Sequence, residues 1–248
     1  MRVKSKRMAA ATRSIQLLPE AKLLGARATA RGRRSAKAPS RRAAPFRCHL
    51  VIMAKLPEAG RVKSRLARQI GVGQATWFYR HTTSAVLGRL ARSPRWQTYL
   101  AITPDRGVAH PIWPRDIMRM TQGSGNLGQR MQRAMRLKKP GPVIIIGTDV
   151  PGIRPAHIAA AFKALGSCDA VFGPAIDGGY WLVGQRRRPH DLEMFGNVRW
   201  STSDALTDTL RNLRGHRIAF VATLSDVDTA DDWRNVAAWC GRRILPAV

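Results

Sequence analysis

"PVIIIGTDVPG" (residues 142–152) sets how the rest of the chain is read. Residues 142–149 form the most apolar run in the sequence, closed by Asp149 and the turn-forming Val150-Pro151-Gly152. A strand wetted on one face alternates apolar with polar, whereas a strand covered on both faces reads as a continuous apolar run. This run therefore predicts a central parallel strand, and such a strand needs helices above and below it.

The flanking sequence supplies them in alternation. "HLVIMAK" (49–55) reads as a strand, residues 74–92 carry helical apolar spacing, and "QTYLAIT" (97–103) alternates as a second strand. "DIMRM" (116–120) is a weak strand, and "LGQRMQRAMRL" (127–137) is helical up to Lys138-Lys139-Pro140-Gly141. Beyond 149, Pro155 suits the first turn of a helix running to about Leu165. "DAVFGPA" (169–175) and "GYWLVGQ" (179–185) read as strands, "STSDALTDTLRNLR" (201–214) as a helix with hydroxyl caps, and "RIAFVATL" (217–224) as a strand. Thr229 can cap a last helix. Strands alternating with helices imply an α/β fold, a mostly parallel sheet with helices on both faces. Ligands of such sheets bind outside the carboxyl ends of the strands.

Charge is distributed unevenly. The 248 residues hold 43 Lys and Arg against 15 Asp and Glu, a net +28. Residues 1–47 hold 14 of those bases and one acid, Glu20, in an Ala-, Arg- and Ser-rich stretch without sustained period. Such a stretch buries too little apolar surface to offset its ordering entropy, so residues 1–45 are expected to be a disordered basic arm and residues 46–245 the folded domain. The arm resembles an organelle transit peptide or an over-long translation start, and it is also suited to nonspecific anion contacts. No apolar run approaches the roughly 18 residues of a membrane span. Cys48, Cys168 and Cys240 are odd in number and lack a C-x-x-C, which speaks against a disulfide framework or a zinc ribbon. These features lead us to expect a soluble, cytoplasmic protein.

Four motifs fall at strand ends. In "KLPEAGRVKSRLA" (55–67), Pro57 and Gly60 shape a loop, and Lys55, Lys63 and Arg65 can surround a phosphate where the chain enters a helix; a solvated turn is the other reading. The P-loop and G-x-G-x-x-G spacings are absent. Asp149 faces the ligand crevice, where it can hold a divalent cation or act only as a helix cap. Asp177 in "GPAIDGGYWLVG" (173–184) lies in a Gly-Gly turn that by itself reads as a plain hairpin. In "LSDVDTADDW" (224–233), Asp226 or Asp228 suits a ligand role, while Asp231 and Asp232 fit the first turn of the following helix. Together, a basic loop and several carboxylates at strand ends suggest a nucleotide diphosphate or triphosphate bound with Mg²⁺ or Mn²⁺. Trp200 can stack on a base or sugar, although a buried tryptophan ahead of a capped helix is the more ordinary reading. No two of the six histidines share metal spacing, and Ser201 and Ser203 lack a G-x-S-x-G context, so hydrolase chemistry is excluded.

The ordered set "KLPEAGRVKSRLA", "QGSGNLGQRM", "GTDVPGI", "GPAIDGGYWLVG", "WSTSDAL" and "DVDTADDW" resembles the bacterial DUF2064 proteins, a branch of the nucleotide-diphospho-sugar transferase (GT-A) superfamily. Some members are labelled glycosyltransferases of arsenosugar biosynthesis. The resemblance covers about residues 48–240 and implies a GT-A-like single domain with one mixed, mainly parallel sheet. It also implies Lys55, Gly60, Lys63 and Arg65 around the phosphates, with Gly125, Leu127, Gly128 and Arg130 closing over the nucleotide. Asp149 resembles the metal-binding acid, Asp228 a second one, and Asp177, Gly178, Gly179 and Tyr180 line the acceptor side, with Trp200 near them. Asn126 departs from the pattern, since family members usually carry an acid there.

The activity this implies is metal-dependent transfer of a sugar from a nucleotide sugar to a small acceptor, with Asp177 as the base. Nucleotidyl transfer from a nucleoside triphosphate, releasing pyrophosphate, is the alternative within the superfamily. The high positive charge suggests a third reading, a non-catalytic protein that binds nucleic acid or nucleotides, although only 6% of residues are aromatic and no RNA-binding motif occurs.

Overall fold

The computed structural model describes residues 46–137, 139–188 and 190–240, so the basic arm read over residues 1–45 lies outside the described residues. The strands are β1 (His49–Lys55), β2 (Gln97–Thr103), β3 (Met118–Thr121), β4 (Val143–Ile146), β5 (Ala170–Pro174), β6 (Tyr180–Gln185) and β7 (Ile218–Phe220). The helices are α1 (Ser64–Ile70), α2 (Val72–Leu90), α3 (Leu127–Met135), α4 (Pro155–Ala164), α5 (Ala205–Arg211) and α6 (Ala230–Cys240). The strands form one sheet in the order β3-β2-β1-β4-β6-β5-β7. β6 pairs antiparallel with both β4 and β5, and the other pairings are parallel. The fold is thus α/β with a mixed, mainly parallel sheet.

Period-two alternation in β1 decides which residues face which layer. Leu50, Ile52 and Ala54 join Leu100, Ile102, Ile144 and Ile146 on one face, covered by Leu90, Ile158 and Leu165. Val51 joins Ala101, Val143, Ile145 and Phe172 on the other, beneath Met131 and Met135. All four residues of β4 are buried, as expected for a strand covered on both sides. Trp96 and Trp113 fill the ends of the first layer and satisfy their indole N–H groups on the carbonyls of Leu90 (3.0 Å) and Gly107 (2.8 Å).

Several boundaries differ from those read in the sequence. The 142–149 run stops as a strand at Ile146, because the ladder between β1 and β4 ends at Ile52/Ile146 while β1 and β2 stay paired to Lys55/Thr103. The two halves of the sheet part at this point, which opens a crevice at the carboxyl ends. The 217–224 strand shortens to Ile218–Phe220, although Val221 and Leu224 still donate to the carbonyls of Phe172 (2.8 Å) and Pro174 (3.2 Å). Asp226 and Asp228 therefore lie on an irregular segment beyond β7 and not at its tip. The 201–214 helix begins only at Ala205, since Ser201 has φ +64° and the Thr202 hydroxyl donates to the carbonyl of Arg199 (2.8 Å), forming a turn.

That turn is clamped by a buried carboxylate. Asp208 accepts from the Arg199 backbone N–H (3.1 Å), from Arg199 Nε and Nη2 (2.8 and 2.9 Å) and from Arg211 Nη1 (2.9 Å). The Arg199 hydrogen bonds depress its pKa to about 2, below the ordinary value of roughly 4 for an aspartate. A depressed carboxylate contributes stability that is fully present above its unfolded pKa and is lost as pH falls through its folded value. Asp208→Asn is therefore expected to lower the urea midpoint at pH 7. The gap to wild type should close as both proteins are titrated from about pH 5 towards pH 2. A gap that stays constant across that range would show that the clamp does not work through charge.

Candidate functional site

The crevice between the two halves of the sheet is a cleft of about 870 Å³. One wall is cationic and comes from the loop that follows β1. Leu56 N–H donates to the carbonyl of Thr103 (2.8 Å) and Arg61 N–H to that of Glu58 (3.0 Å), folding residues 56–63 into a turn that leads into α1. Lys63 is the N-cap of α1, with φ 48° and ψ 48°. That left-handed conformation costs a non-glycine residue about 1 kcal/mol. It accompanies a side chain directed inward, only 4% exposed.

The Lys63 ammonium lies between two carboxylates, 2.9 Å from Asp228 Oδ1 and 3.2 Å from Asp149 Oδ2. Burial alone would lower its pKa, but Asp149 and Asp228 reverse that and hold it above the ordinary lysine value. Arg65 Nη1 reaches Asp228 Oδ2 at 3.4 Å from an exposed position. Asp149 follows β4 in the turn that leads to α4, and its carbonyl accepts from Val227 N–H (3.3 Å), which ties the two acid-bearing segments together. Asp226 lines the same cleft, and its pKa is raised by burial and by the charges of Asp228 and Asp177. Asp232 instead accepts from the Asp228 and Thr229 N–H groups and the Thr229 hydroxyl at 2.7–3.1 Å, fixing the start of α6. Asp231 pairs with Arg234 on the surface.

The opposite wall carries the remaining motifs. Asp177 sits at the tip of the β5–β6 hairpin, where its Oδ1 accepts from Gly179 N–H (2.9 Å). The motif forms the hairpin, and Asp177 at its tip also lines the cleft. Gly178 has φ +83°, and a Cβ there would lie 2.7 Å from Ser203 Cα and nearer still to the Ser203 carbonyl oxygen. Its own carbonyl accepts from Leu206 N–H (3.2 Å). The hairpin tip thus rests directly on the turn held by Asp208. Tyr180 and Trp200 line the cleft, the latter half-buried against Phe195. A Cβ on Gly128 would lie 2.7 Å from Trp200 Cζ2 and 2.9 Å from the Phe195 carbonyl oxygen, so the glycine allows α3 to pack under the indole.

Of the residues singled out in the sequence, Lys55, Lys63, Arg65, Arg130, Asp149, Asp177, Gly179, Tyr180, Trp200 and Asp228 line this one cleft. Gly60, Gly125, Gly128 and Gly178 do not line it; they lie in or beneath the segments that bear the lining residues. Asn126 is occupied as the N-cap of α3: its Oδ1 accepts from Gln129 N–H (2.9 Å), and Gln129 Oε1 accepts from Asn126 N–H (3.0 Å).

Among the lining residues that sequence reasoning missed are Tyr79 and Gln122. The Tyr79 hydroxyl, which reads as core at helical spacing, accepts from Lys55 N–H (2.7 Å) and lies 3.3 Å from Thr148 Oγ1. Burial and the nearby Asp149 raise its pKa. Gln122 is buried just past β3, where its Nε2 donates to the carbonyls of Ala54 (3.1 Å) and Ala101 (2.9 Å). It turns Oε1 towards Arg130 Nη1 (3.1 Å), which holds that guanidinium over the cleft. A glutamine directly after a short strand was the available signal.

Among the described residues, no cluster of three or more His, Cys, Asp or Glu side chains forms a ready-made metal cage. Mg²⁺ and Mn²⁺ prefer oxygen ligands, and Mg²⁺ is commonly held by one or two carboxylates plus substrate phosphates. Asp149 and Asp228 meet that requirement, because one cation, the Lys63 ammonium, already lies within 3.2 Å of both.

A family model described as an uncharacterized protein conserved in bacteria, DUF2064, matches residues 86–202. Those residues are similar to that family. They run from α2 to the Trp200 turn and carry Asp149, Asp177 and Tyr180. A crystal structure from Desulfovibrio desulfuricans G20, provisionally named a nucleotide-diphospho-sugar transferase, is similar at 27% identity and TM-score 0.73 over 80% of this chain and 90% of that one. The 4-diphosphocytidyl-2C-methyl-D-erythritol synthase of Anaerococcus prevotii DSM 20548 shares the fold at 11% identity and TM-score 0.50, over 79% of this chain and 97% of that one. No curated protein matches the chain. The chain thus shares its fold with both of these structures. No helix among the described residues is long and apolar enough to cross a membrane.

Proposed function

We propose that this protein is a metal-dependent transferase acting on an activated nucleotide, moving a sugar from a nucleotide sugar to a small acceptor. The observation that supports this best is the meeting of a cationic loop with a convergent carboxylate pair, Asp149 and Asp228, in one cleft at the carboxyl ends of β1 and β4. In this reading Lys55, Lys63 and Arg65 bind the phosphates, with Arg130 at the neighbouring rim. Asp149 and Asp228 would hold Mg²⁺ or Mn²⁺, which would neutralise charge on the departing nucleotide diphosphate. Gly60, Gly125 and Gly128 act indirectly, by shaping the loop and the α3 terminus that frame the nucleotide. Gly178, Gly179, Tyr180 and Trp200 belong to the acceptor side.

Transfer requires a base for the acceptor hydroxyl, and we assign this to Asp177, which the Gly179 N–H orients through one oxygen. The Asp177 charge is among those that disfavour ionisation of Asp226, and the Lys63 cation partly relieves that repulsion. Nucleotidyl transfer is the second reading. Arg61 joins Lys55, Lys63 and Arg65 on the lining, enough positive charge for a triphosphate.

A thermal-shift screen of the full chain against nucleoside triphosphates and nucleotide sugars, with and without Mn²⁺, tests the proposal. A ligand at 100 times its dissociation constant stabilises the native state by about 2.7 kcal/mol. We expect a Mn²⁺-dependent rise with a nucleotide sugar, followed by release of a nucleoside diphosphate on addition of an acceptor. A rise with triphosphate alone, and pyrophosphate as product, would replace glycosyl with nucleotidyl transfer. No shift with any nucleotide would sink both.

A further inference from the structure

We infer that Lys63 is the resident counter-cation of the Asp149–Asp228 pair and has to withdraw from it before a divalent ion can enter, so that metal and phosphate are taken up together. The inference builds on the nucleotide reading above, but the geometry behind it belongs to the protein alone. The ammonium is 2.9 Å from one carboxylate and 3.2 Å from the other, on a side chain that is 4% exposed. It therefore occupies the point on which both carboxylates converge. A dication placed there would face a buried like charge, and an ammonium displaced without a new partner would be a buried, uncompensated ion, which is costly.

An anionic phosphate in the cleft resolves this conflict. The lysine moves from carboxylate to phosphate, the carboxylates turn to the metal, and each charge remains paired at every stage. Two consequences follow. Metal alone binds weakly, and phosphate raises metal affinity by the same factor by which metal raises phosphate affinity. Arg65 provides an internal contrast, since it reaches Asp228 at 3.4 Å but is 65% exposed and lies outside the point of convergence.

The test uses Mn²⁺ alone on the full chain, with the free-ion paramagnetic resonance signal as readout. Lys63→Met is expected to tighten Mn²⁺ binding on the order of tenfold, whereas Arg65→Met, which removes the same charge beside the same Asp228, should change it by about twofold or less. Unchanged or weaker binding in Lys63→Met, or equal tightening in both variants, overturns the inference. Wild type supplies a readout that does not depend on the variant folding, namely reductive methylation of Lys63 followed by mass spectrometry. The rate should rise about tenfold at saturating Mn²⁺ as the ammonium is released, and an unchanged rate overturns the inference. Neither readout requires nucleotide or turnover, so failure of the transferase reading would leave both results intact. Failure here would likewise leave nucleotide binding untouched.

Discussion

Asp149→Asn is expected to reduce metal-dependent turnover by roughly 10²–10³-fold, the loss seen when one group that stabilises transition-state charge is removed, while leaving the protein folded. The fold should survive because the Asp149 side chain is 48% exposed and its structural bond, the carbonyl that accepts from Val227 N–H, belongs to the backbone. Asparagine keeps the shape but supplies no negative charge for the cation. It also leaves Lys63 with Asp228 as its remaining carboxylate partner in this pair, so the phosphate-binding wall should persist and nucleotide should still bind in the absence of metal. Steady-state turnover across a Mn²⁺ titration, with circular dichroism as the folding control, checks the result. Wild-type turnover in Asp149→Asn would remove the metal assignment.

Gly178→Ala is expected to destabilise the protein by about 2–4 kcal/mol, combining the left-handed backbone penalty with overpacking. The φ of +83° disfavours any L side chain, and the added Cβ would press on the backbone of Ser203, which cannot rotate away as a flexible side chain could. Relief requires the hairpin tip and the 200–204 turn to separate, which would displace Asp177 and Trp200 together. The urea midpoint should fall, and in conditions where the variant remains folded the acceptor Michaelis constant should rise more than that of the nucleotide donor. A neutral Gly178→Ala would mean that the hairpin does not rest on this turn in solution.

The succession of strands and helices along the chain and the covered core were legible because period-two and unbroken apolar runs map directly onto burial, as in β1 and β4. The ends of elements were less legible. Hydrophobicity alone does not show that β4 loses its β1 partner after Ile146, or that the Ser201–Asp204 stretch closes on itself before α5 begins. The acids at strand ends were visible as residue types, yet Asp149 and Asp228 meet only because an irregular segment beyond β7 returns to the β4 turn. Lys63 was legible as a cation in the loop after a strand; its contact with two carboxylates depends on a left-handed N-cap that no residue type announces. Tyr79 and Gln122 were hidden for a related reason, because a hydroxyl or amide among apolar neighbours looks like core until its hydrogen-bond partners are known.

The closest ion pair in the cleft, Lys63 to Asp228, joins positions 165 residues apart in the chain. During synthesis, the cationic loop after β1, the β1–β2 pair and β4 can be made and begin to pack long before residue 228 leaves the ribosome. Throughout that interval the Lys63 ammonium lacks one of its two carboxylates. The Asp149–Asp228 pair therefore stays incomplete until the last acid-bearing segment is delivered, so the two-carboxylate arrangement is assembled in one late step.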